Sequence, residues 1–152
     1  MERSRFTVQA LIEKKKTGIV AIGPDEPVLA ALQAMAASNV GAVVVMEGTK
    51  LVGILSERDY ARKVELAGRT ARDTKVRDIM SISIVTVRPE QTIEDCRSLM
   101  HENKIRHLPV VKDGRVTGVL SNRDVLEQVV EIDAKQIRGL ETEVMMIESG
   151  TY

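Results

Sequence analysis

Hydrophobic and polar positions along the chain predict two successive segments with the same β-α-β-β-α order. Each segment opens with a short β-branched run, at residues 19–22 and 84–87, that ends in a turn containing proline. A helix is predicted next, because apolar residues recur at spacings of three and four. Two further apolar runs predict a hairpin, at residues 42–46 with 51–55 and at 108–111 with 116–120. A last helix is predicted to begin near Arg58 and again near Arg123.

A shift of 65 residues superimposes these two segments without a gap. The densest match sets residues 53–59, GILSERD, over residues 118–124, GVLSNRD, with five of seven positions identical. A half of about 60 residues buries too little surface to be stable alone. The pattern therefore predicts an α/β fold in which tandem β-α-β-β-α repeats, related by a pseudo-twofold axis, form one module with a cleft between them. That symmetry predicts two related ligand sites.

The remaining residues flank the repeats. We assign residues 1–16 to an N-terminal helical lead-in, 7–66 to the first repeat, 67–78 to a polar connector and 79–132 to the second repeat. Residues 133–152 are assigned to a C-terminal helix and tail. The apolar residues along 132–147 predict an amphipathic helix that could cap the core or bind a partner, and capping the core is the preferred prediction.

Composition narrows the class of protein. The 152 residues carry 22 basic and 22 acidic side chains, and this balance argues against a nucleic-acid partner. The longest apolar stretch, residues 40–46, is too short to span a membrane. One cysteine, Cys96, excludes an internal disulfide and predicts a reducing compartment such as the cytoplasm. Aromatic residues make up 2% of the chain, so aliphatic side chains must hold any planar ligand.

Two serine–aspartate pairs, Ser56 with Asp59 and Ser121 with Asp124, mark the predicted strand-to-helix junctions. Each pair has the spacing of a capping box, in which serine and the acidic residue satisfy backbone N–H groups. The same junction could bind a nucleotide, because a helix N-terminus attracts phosphate and a carboxylate can accept both ribose hydroxyls. Both copies also carry a glycine and an arginine, which capping does not require, and these residues favour the nucleotide interpretation.

A second group of cations distinguishes the two halves. Arg106 and His107 open the hairpin of the second half, whereas the equivalent residues of the first half, 41–45, carry no charge. These cations could be a solvated strand end, but we prefer a phosphate-binding role, with two sites that differ in affinity or ligand. Arg58, Arg106 and Arg123 are expected to be partly buried and to face one another in the empty cleft, so an anion should relieve their repulsion.

Taken together, the doubled β-α-β-β-α unit, the two glycine-to-aspartate junctions, the strand at residues 105–111 (IRHLPVV) and the lead-in at residues 76–80 (VRDIM) resemble a pair of CBS domains. That family is named after the regulatory region of cystathionine β-synthase. The resemblance covers residues 7–132. It implies a regulatory module, not an enzyme, that binds AMP, ADP, ATP, NAD or S-adenosylmethionine between its repeats, forms a homodimer and signals to a separate, unidentified protein.

The resemblance also implies roles for particular side chains. Asp59 and Asp124 would contact ribose, and Ser56 and Ser121 ribose or phosphate. The phosphate contacts would come from Arg58, Arg106, His107 and Arg123, with Pro109 in the same strand as two of them. The adenine would lie against Ile19, Val20, Ile84 and Val85. No catalytic residue, catalytic cofactor or metal is expected. Two alternatives stay open: a structural dimerisation scaffold that binds no ligand and, more remotely, a nucleotide-converting enzyme.

Overall fold

The computed structural model describes residues 5–16 and 18–150, and its elements follow the predicted repeat order. A lead-in helix, α1 (Val8–Lys15), comes first. The first repeat then contains β1 (Ala21–Ile22), α2 (Val28–Ser38), β2 (Ala42–Glu47), β3 (Lys50–Ser56) and α3 (Glu57–Tyr60), which continues as a π-helical segment, Ala61–Glu65. A short helix, α4 (Val76–Ile79), precedes the second repeat. The second repeat then contains α5 (Ile93–Asn103), β4 (His107–Lys112), β5 (Arg115–Ser121) and α6 (Asn122–Glu148).

The two hairpins match one another, but the predicted opening strands do not. In the first repeat β1 pairs with β2 in parallel, and the N–H of Val44 donates to the carbonyl of Val20. The equivalent donor in the second repeat is Pro109, which has no N–H. Residues 84–87 therefore form no strand and keep a single bridge, Val87 to Val110. The prediction of a strand at 84–87 is wrong, and the strand predicted at 19–22 is reduced to Ala21–Ile22.

The short helices that precede the repeats are exchanged between them. α1 packs on the core of the second repeat, where the N–H of Ile93 donates to the carbonyl of Phe6 at 3.0 Å. α4 packs on the core of the first repeat, and the N–H of Val76 donates to the carbonyl of Glu26 at 2.9 Å. The range 7–66 therefore includes a helix whose contacts lie with the other repeat. Each lead-in helix thereby ties the two repeats together.

This exchange explains the glycine that opens each junction motif. A Cβ placed on Gly53 would lie 2.6 Å from the sulfur of Met80, which follows α4. A Cβ on Gly118 would overlap the Cδ1 atom of Ile12 in α1. Both glycines let an exchanged segment approach a strand closely. They are therefore explained by packing, and they no longer favour the nucleotide interpretation over capping.

The last helix, α6, is continuous across the predicted boundary at residue 132. Its first part covers the core of the second repeat through Val125, Val129 and Ile132. From Ile137 onward every residue that the structure describes is exposed. The preferred prediction, that residues 132–147 cap the core, therefore holds only at their first residues. None of the helices in the described ranges is long and apolar enough to cross a membrane.

Candidate functional site

Two clefts lie between the repeats, and each contains the aspartate of one junction motif. The Asp59 cleft has a volume of about 730 Å³ and is lined by residues of both repeats. The Asp124 cleft, of about 680 Å³, is lined by residues of both repeats and of α1. Both volumes fall in the range of small-molecule sites, ~300–1,000 Å³. Five residues line both clefts: Gly41, His107, Ser121, Arg123 and Glu127.

The junctions themselves are complete capping boxes. In the first, Oδ2 of Asp59 accepts hydrogen bonds from the N–H and the hydroxyl of Ser56, and Oγ of Ser56 accepts one from the N–H of Asp59. Asp124 and Ser121 repeat the backbone part of this pattern at 2.8 and 3.1 Å. The capping interpretation is therefore geometrically correct at both sites, and any ligand role must be additional to it.

The first turns of α3 and α6 have fewer free backbone N–H donors than a helix N-terminus ordinarily offers to a phosphate. The N–H of Glu57 donates to the carbonyl of Gly41 at 3.0 Å, and the N–H of Asn122 donates to the carbonyl of Arg106 at 2.7 Å. The N–H of each aspartate is bound to its serine. Two of the first three N–H groups are thus already satisfied in each helix. Phosphate binding here would depend mainly on side-chain cations.

Most residues that the resemblance implicates line one of the two clefts. The Asp59 cleft collects Ser56, Arg58, Asp59, Ile84, Val85, Arg106, His107, Pro109, Ser121 and Arg123. The Asp124 cleft contains Asp124 and Val20 together with His107, Ser121 and Arg123. Ile19 lines neither cleft, although its neighbour Val20 lines the Asp124 cleft. It is 44% exposed, so its expected contact with adenine is not supported.

The two clefts differ more in the charged residues that line them than in their serine–aspartate junction motifs. Three cations, Arg62, Lys104 and Arg106, line the Asp59 cleft and not the Asp124 cleft. Under the 65-residue shift their counterparts are Glu127, Asn39 and Gly41, which are acidic or neutral; Glu127 and Gly41 line both clefts. The Asp59 cleft contains five lysine and arginine residues against three acidic ones, whereas the Asp124 cleft has three of each. An anionic ligand is therefore favoured in the Asp59 cleft.

In the Asp124 cleft, a lysine of the exchanged helix α1 pairs with the aspartate. The Nζ atom of Lys15 lies 2.8 Å from Oδ2 of Asp124 and 2.7 Å from the carbonyl oxygen of Val119. Burial alone would raise the pKa of Asp124, but hydrogen bonds from Lys15 and from the backbone N–H of Ser121 hold it below its ordinary value. The carboxylate that would accept ribose hydroxyls is thus already paired with a cation. In the Asp59 cleft the corresponding contact, Lys63 to Asp59, is longer, at 3.2 Å, and its lysine is more exposed.

His107 lines both clefts and can contact a ligand in either one. Burial lowers its pKa from the ordinary value, and the nearby charge of Lys15 lowers it further. An anion placed beside it would favour the charged form. Binding of a phosphate there would therefore be coupled to proton uptake.

One expectation about the arginines needs correction. Arg58, Arg106 and Arg123 line the same cleft, but all three are exposed rather than partly buried. Arg123 also pairs with Glu127 at 2.9 Å. Because solvent screens exposed charges, relief of mutual repulsion is a weak driving force. Direct pairing with the anion must supply the attraction.

Sequence reasoning missed Arg62, Lys104 and Lys15. Arg62 and Lys104 are cations at positions whose 65-residue counterparts are not, and extending the comparison that identified Arg106 would have found them. No such signal exists for Lys15. Its contact with Asp124 spans more than 100 residues and depends on α1 packing against the second repeat.

Comparisons with known proteins agree with the repeat and its fold. The profile of the CBS domain matches twice, at residues 15–66 and 76–131. The CBS domain-containing protein CBSX3, mitochondrial, of Arabidopsis thaliana is 40% identical over 121 residues, which cover 76% of this chain and 59% of that protein. This chain thus spans less than two thirds of that relative. The CBS domain-containing protein YhcV of Bacillus subtilis is 32% identical over 72% of this chain and 77% of its own length. The crystal structure of the CBS domain NE2398 has a TM-score of 0.78 and 46% identity, covering 82% of this chain and 97% of that one.

Proposed function

The chain belongs to the CBS-domain family, and from that premise we propose that it is a non-catalytic regulatory module that binds an adenine nucleotide in its Asp59 cleft. The observation that carries the proposal is the composition of that cleft. Asp59 of the first repeat contributes a carboxylate to the cleft, and the second repeat contributes an apolar wall that includes Val85. The second repeat also contributes a cation, Arg106. A ribose, a base and a phosphate each find a chemically suitable surface there. AMP, ADP, ATP and NAD share these three parts.

The capping role of Asp59 is compatible with ribose binding. Its two oxygens offer about four acceptor positions. The N–H and hydroxyl of Ser56 and the ammonium group of Lys63 occupy some of them. Because the carboxylate is already fixed by these contacts, it would lose little conformational freedom on accepting a hydroxyl. The aliphatic side chains of Ile84 and Val85 would contact the base without aromatic stacking.

The proposed signal is a shift between arrangements of the two repeats. A ligand in the Asp59 cleft would contact Ser56 and Arg58 from the first repeat and Ile105 and Arg106 from the second. It would therefore stabilise whichever arrangement brings these groups within reach, to the extent that it binds that arrangement more tightly. The Asp124 cleft is proposed to be the weaker site for an anion, because its basic residues are matched by as many acidic ones, whereas basic residues are in excess in the Asp59 cleft.

Calorimetry on the full chain tests the ligand and the cleft together. AMP, ADP, ATP, NAD and S-adenosylmethionine are compared with GMP, first with the unaltered protein and then with Arg106→Ala. Loss of one charge-assisted contact, ~1.5–3 kcal/mol, weakens binding about 10- to 150-fold. Arg97→Ala is the matched control, because Arg97 is an exposed arginine of α5 paired with Glu94 outside both clefts. Affinity within twofold after Arg106→Ala, or equal binding of GMP, contradicts the proposal.

A ligand-free scaffold is the second candidate, and the capping boxes favour it. A third complete box, between Thr92 and Asp95 at the start of α5, lies outside both clefts. A capping box can therefore stabilise a helix in this fold without taking part in a ligand site. Under this alternative Asp59→Ala lowers the free energy of unfolding by ~0.5–2 kcal/mol, and no adenosine compound shifts the melting temperature. A shift with adenosine compounds but not with guanosine compounds distinguishes the two.

Several properties stay predictions. Enzymatic turnover is not expected, and burial raises the pKa of the Cys96 thiol to about 11, which disfavours a thiolate nucleophile. Incubation with ATP or NAD and a search for products tests this. Homodimerisation, an unidentified downstream protein, the lack of nucleic-acid and membrane partners, and location in the cytoplasm likewise rest on the sequence and the resemblance.

A further inference from the structure

The distal half of α6 displays an apolar face that the described residues leave exposed. Among the residues that the structure describes, four large apolar side chains on this face are between 52% and 62% exposed: Ile137, Leu140, Val144 and Ile147. Met145 and Met146 are also exposed, but their positions lie on the other side of the helix. Contiguous exposed apolar surface of this kind marks interaction sites. An uncovered helix of about 12 residues is also only marginally stable in water. Both considerations indicate that another element packs on this face.

The spacing of these residues defines the kind of element. From Leu126 to Ile147 seven positions follow alternating steps of four and three, and all of them except Asp133 are exposed apolar residues. We call this series the α6 seam; its members are Leu126, Val130, Asp133, Ile137, Leu140, Val144 and Ile147. A step pattern of three and four that averages 3.5 residues is the seam of a coiled coil. The element that fits it is another α-helix.

The seam also begins at the proposed ligand site. Leu126 lines the Asp59 cleft, and Arg123 and Glu127 beside it line the cleft as well. The first turns of α6 thus contact the cleft, while its last turns carry the exposed face. A helix bound to the seam would be attached to the same rigid element that the ligand would contact.

Charges beside the seam decide which helix fits. The positions that flank a coiled-coil seam are occupied in the distal half by Glu141, Glu143 and Glu148, whereas the basic residues Lys135 and Arg138 fall on the outer positions. A second copy of this chain would place glutamate opposite glutamate in either orientation, which is repulsive. A helix with lysine or arginine beside its apolar face would instead form pairs. The same acidic flank disfavours an anionic membrane surface.

We propose that the α6 seam is the docking site for an amphipathic helix of a partner protein whose apolar face is flanked by basic residues. This inference deepens the proposed function by giving the class of the downstream partner. It is tested without nucleotide, so its failure and the failure of the nucleotide site are distinguishable.

The probes are two labelled 28-residue helical peptides with identical apolar seams, one flanked by lysine and the other by glutamate. Fluorescence anisotropy with the full chain measures binding of each peptide. The basic peptide should bind at least tenfold more tightly than the acidic one and weaken as salt is raised. Leu140→Asp should abolish this binding. Leu66→Asp is the control, because Leu66 is an exposed leucine of the first repeat that is not a member of the seam.

Charge reversal gives the sharper test. The triple variant E141K/E143K/E148K should prefer the acidic peptide, a reversal that a nonspecific apolar contact would not show. Circular dichroism confirms that each variant is folded. Equal binding of both peptides, no binding of either, or an unchanged preference in the triple variant overturns the proposal. A change from dimer to monomer on Leu140→Asp also overturns it, because a second copy would then occupy the seam.

Discussion

The ion pair between Lys15 and Asp124 allows a quantitative test of the exchanged packing of α1. Lys15→Met retains most of the aliphatic side chain and removes only the ammonium group. The side chains of Lys15 and Asp124 are 19% and 20% exposed, so the pair is intermediate between the surface and the interior. Exposed pairs contribute ~0–1 kcal/mol, whereas breaking a fully buried pair costs ~3–5 kcal/mol. We expect the free energy of unfolding to fall by about 1–2 kcal/mol at pH 7.

The pH dependence of this loss identifies its cause. The pKa of Asp124 is lowered in the folded protein, so its ionised form stabilises the fold above the ordinary value of 3.8. That stabilisation is lost as the pH falls through the lower, folded pKa. The difference between the unaltered protein and Lys15→Met should therefore be constant from pH 7 to about pH 5 and shrink in more acidic solution.

Urea unfolding, followed by circular dichroism at several pH values, measures both effects. A loss of 1–2 kcal/mol corresponds to a melting temperature lower by roughly 2–8 °C for a chain of this size. Lys135→Met is the control, because its pair with Glu131 joins two exposed side chains one helical turn apart. It should cost less than ~0.5 kcal/mol. If Lys15→Met costs no more than Lys135→Met, or if its cost does not change with acidification, the ion pair does not anchor α1.

Two further predictions concern the site and the core. Burial lowers the pKa of His107, and a phosphate would favour its charged form, so NAD should bind more tightly as the pH falls from 8 to 6. Calorimetry in buffers of different ionisation enthalpy measures the accompanying proton uptake. His107→Gln should flatten this pH profile, and a flat profile in the unaltered protein would contradict the role assigned to His107. Gly53→Ala should lower the free energy of unfolding by ~1–3 kcal/mol, because its Cβ would overlap Met80. The contrasting variant, Gly139→Ala, meets no atom within 4 Å and should raise helix stability by ~0.5–1 kcal/mol; equal effects of the two alanines in urea unfolding would refute the packing explanation.

The sequence by itself determined the repeat, the fold class and the identity of the junction residues. Hydrophobic periodicity is a local property, so α2, α5 and both hairpins lie where the 3.6- and 2-residue patterns predict them. The serine–aspartate spacing likewise determined the capping boxes, because every bond in them joins residues three positions apart. The absence of an opening strand in the second repeat has a cause in one residue, because Pro109 cannot donate a hydrogen bond, but the β-branched pattern of residues 84–87 wrongly predicted a strand there.

Only the tertiary structure decided which groups from distant parts of the chain meet. The exchange of α1 and α4 depends on contacts between residues far apart, and no local pattern encodes which repeat a short amphipathic helix will cover. That exchange places Lys15 on Asp124 and makes the clefts unequal in a way that the motifs do not. The same limit applies to α6. Its periodicity predicted an apolar face, but whether that face is buried depends on how far the core extends, and the core ends near Ile132.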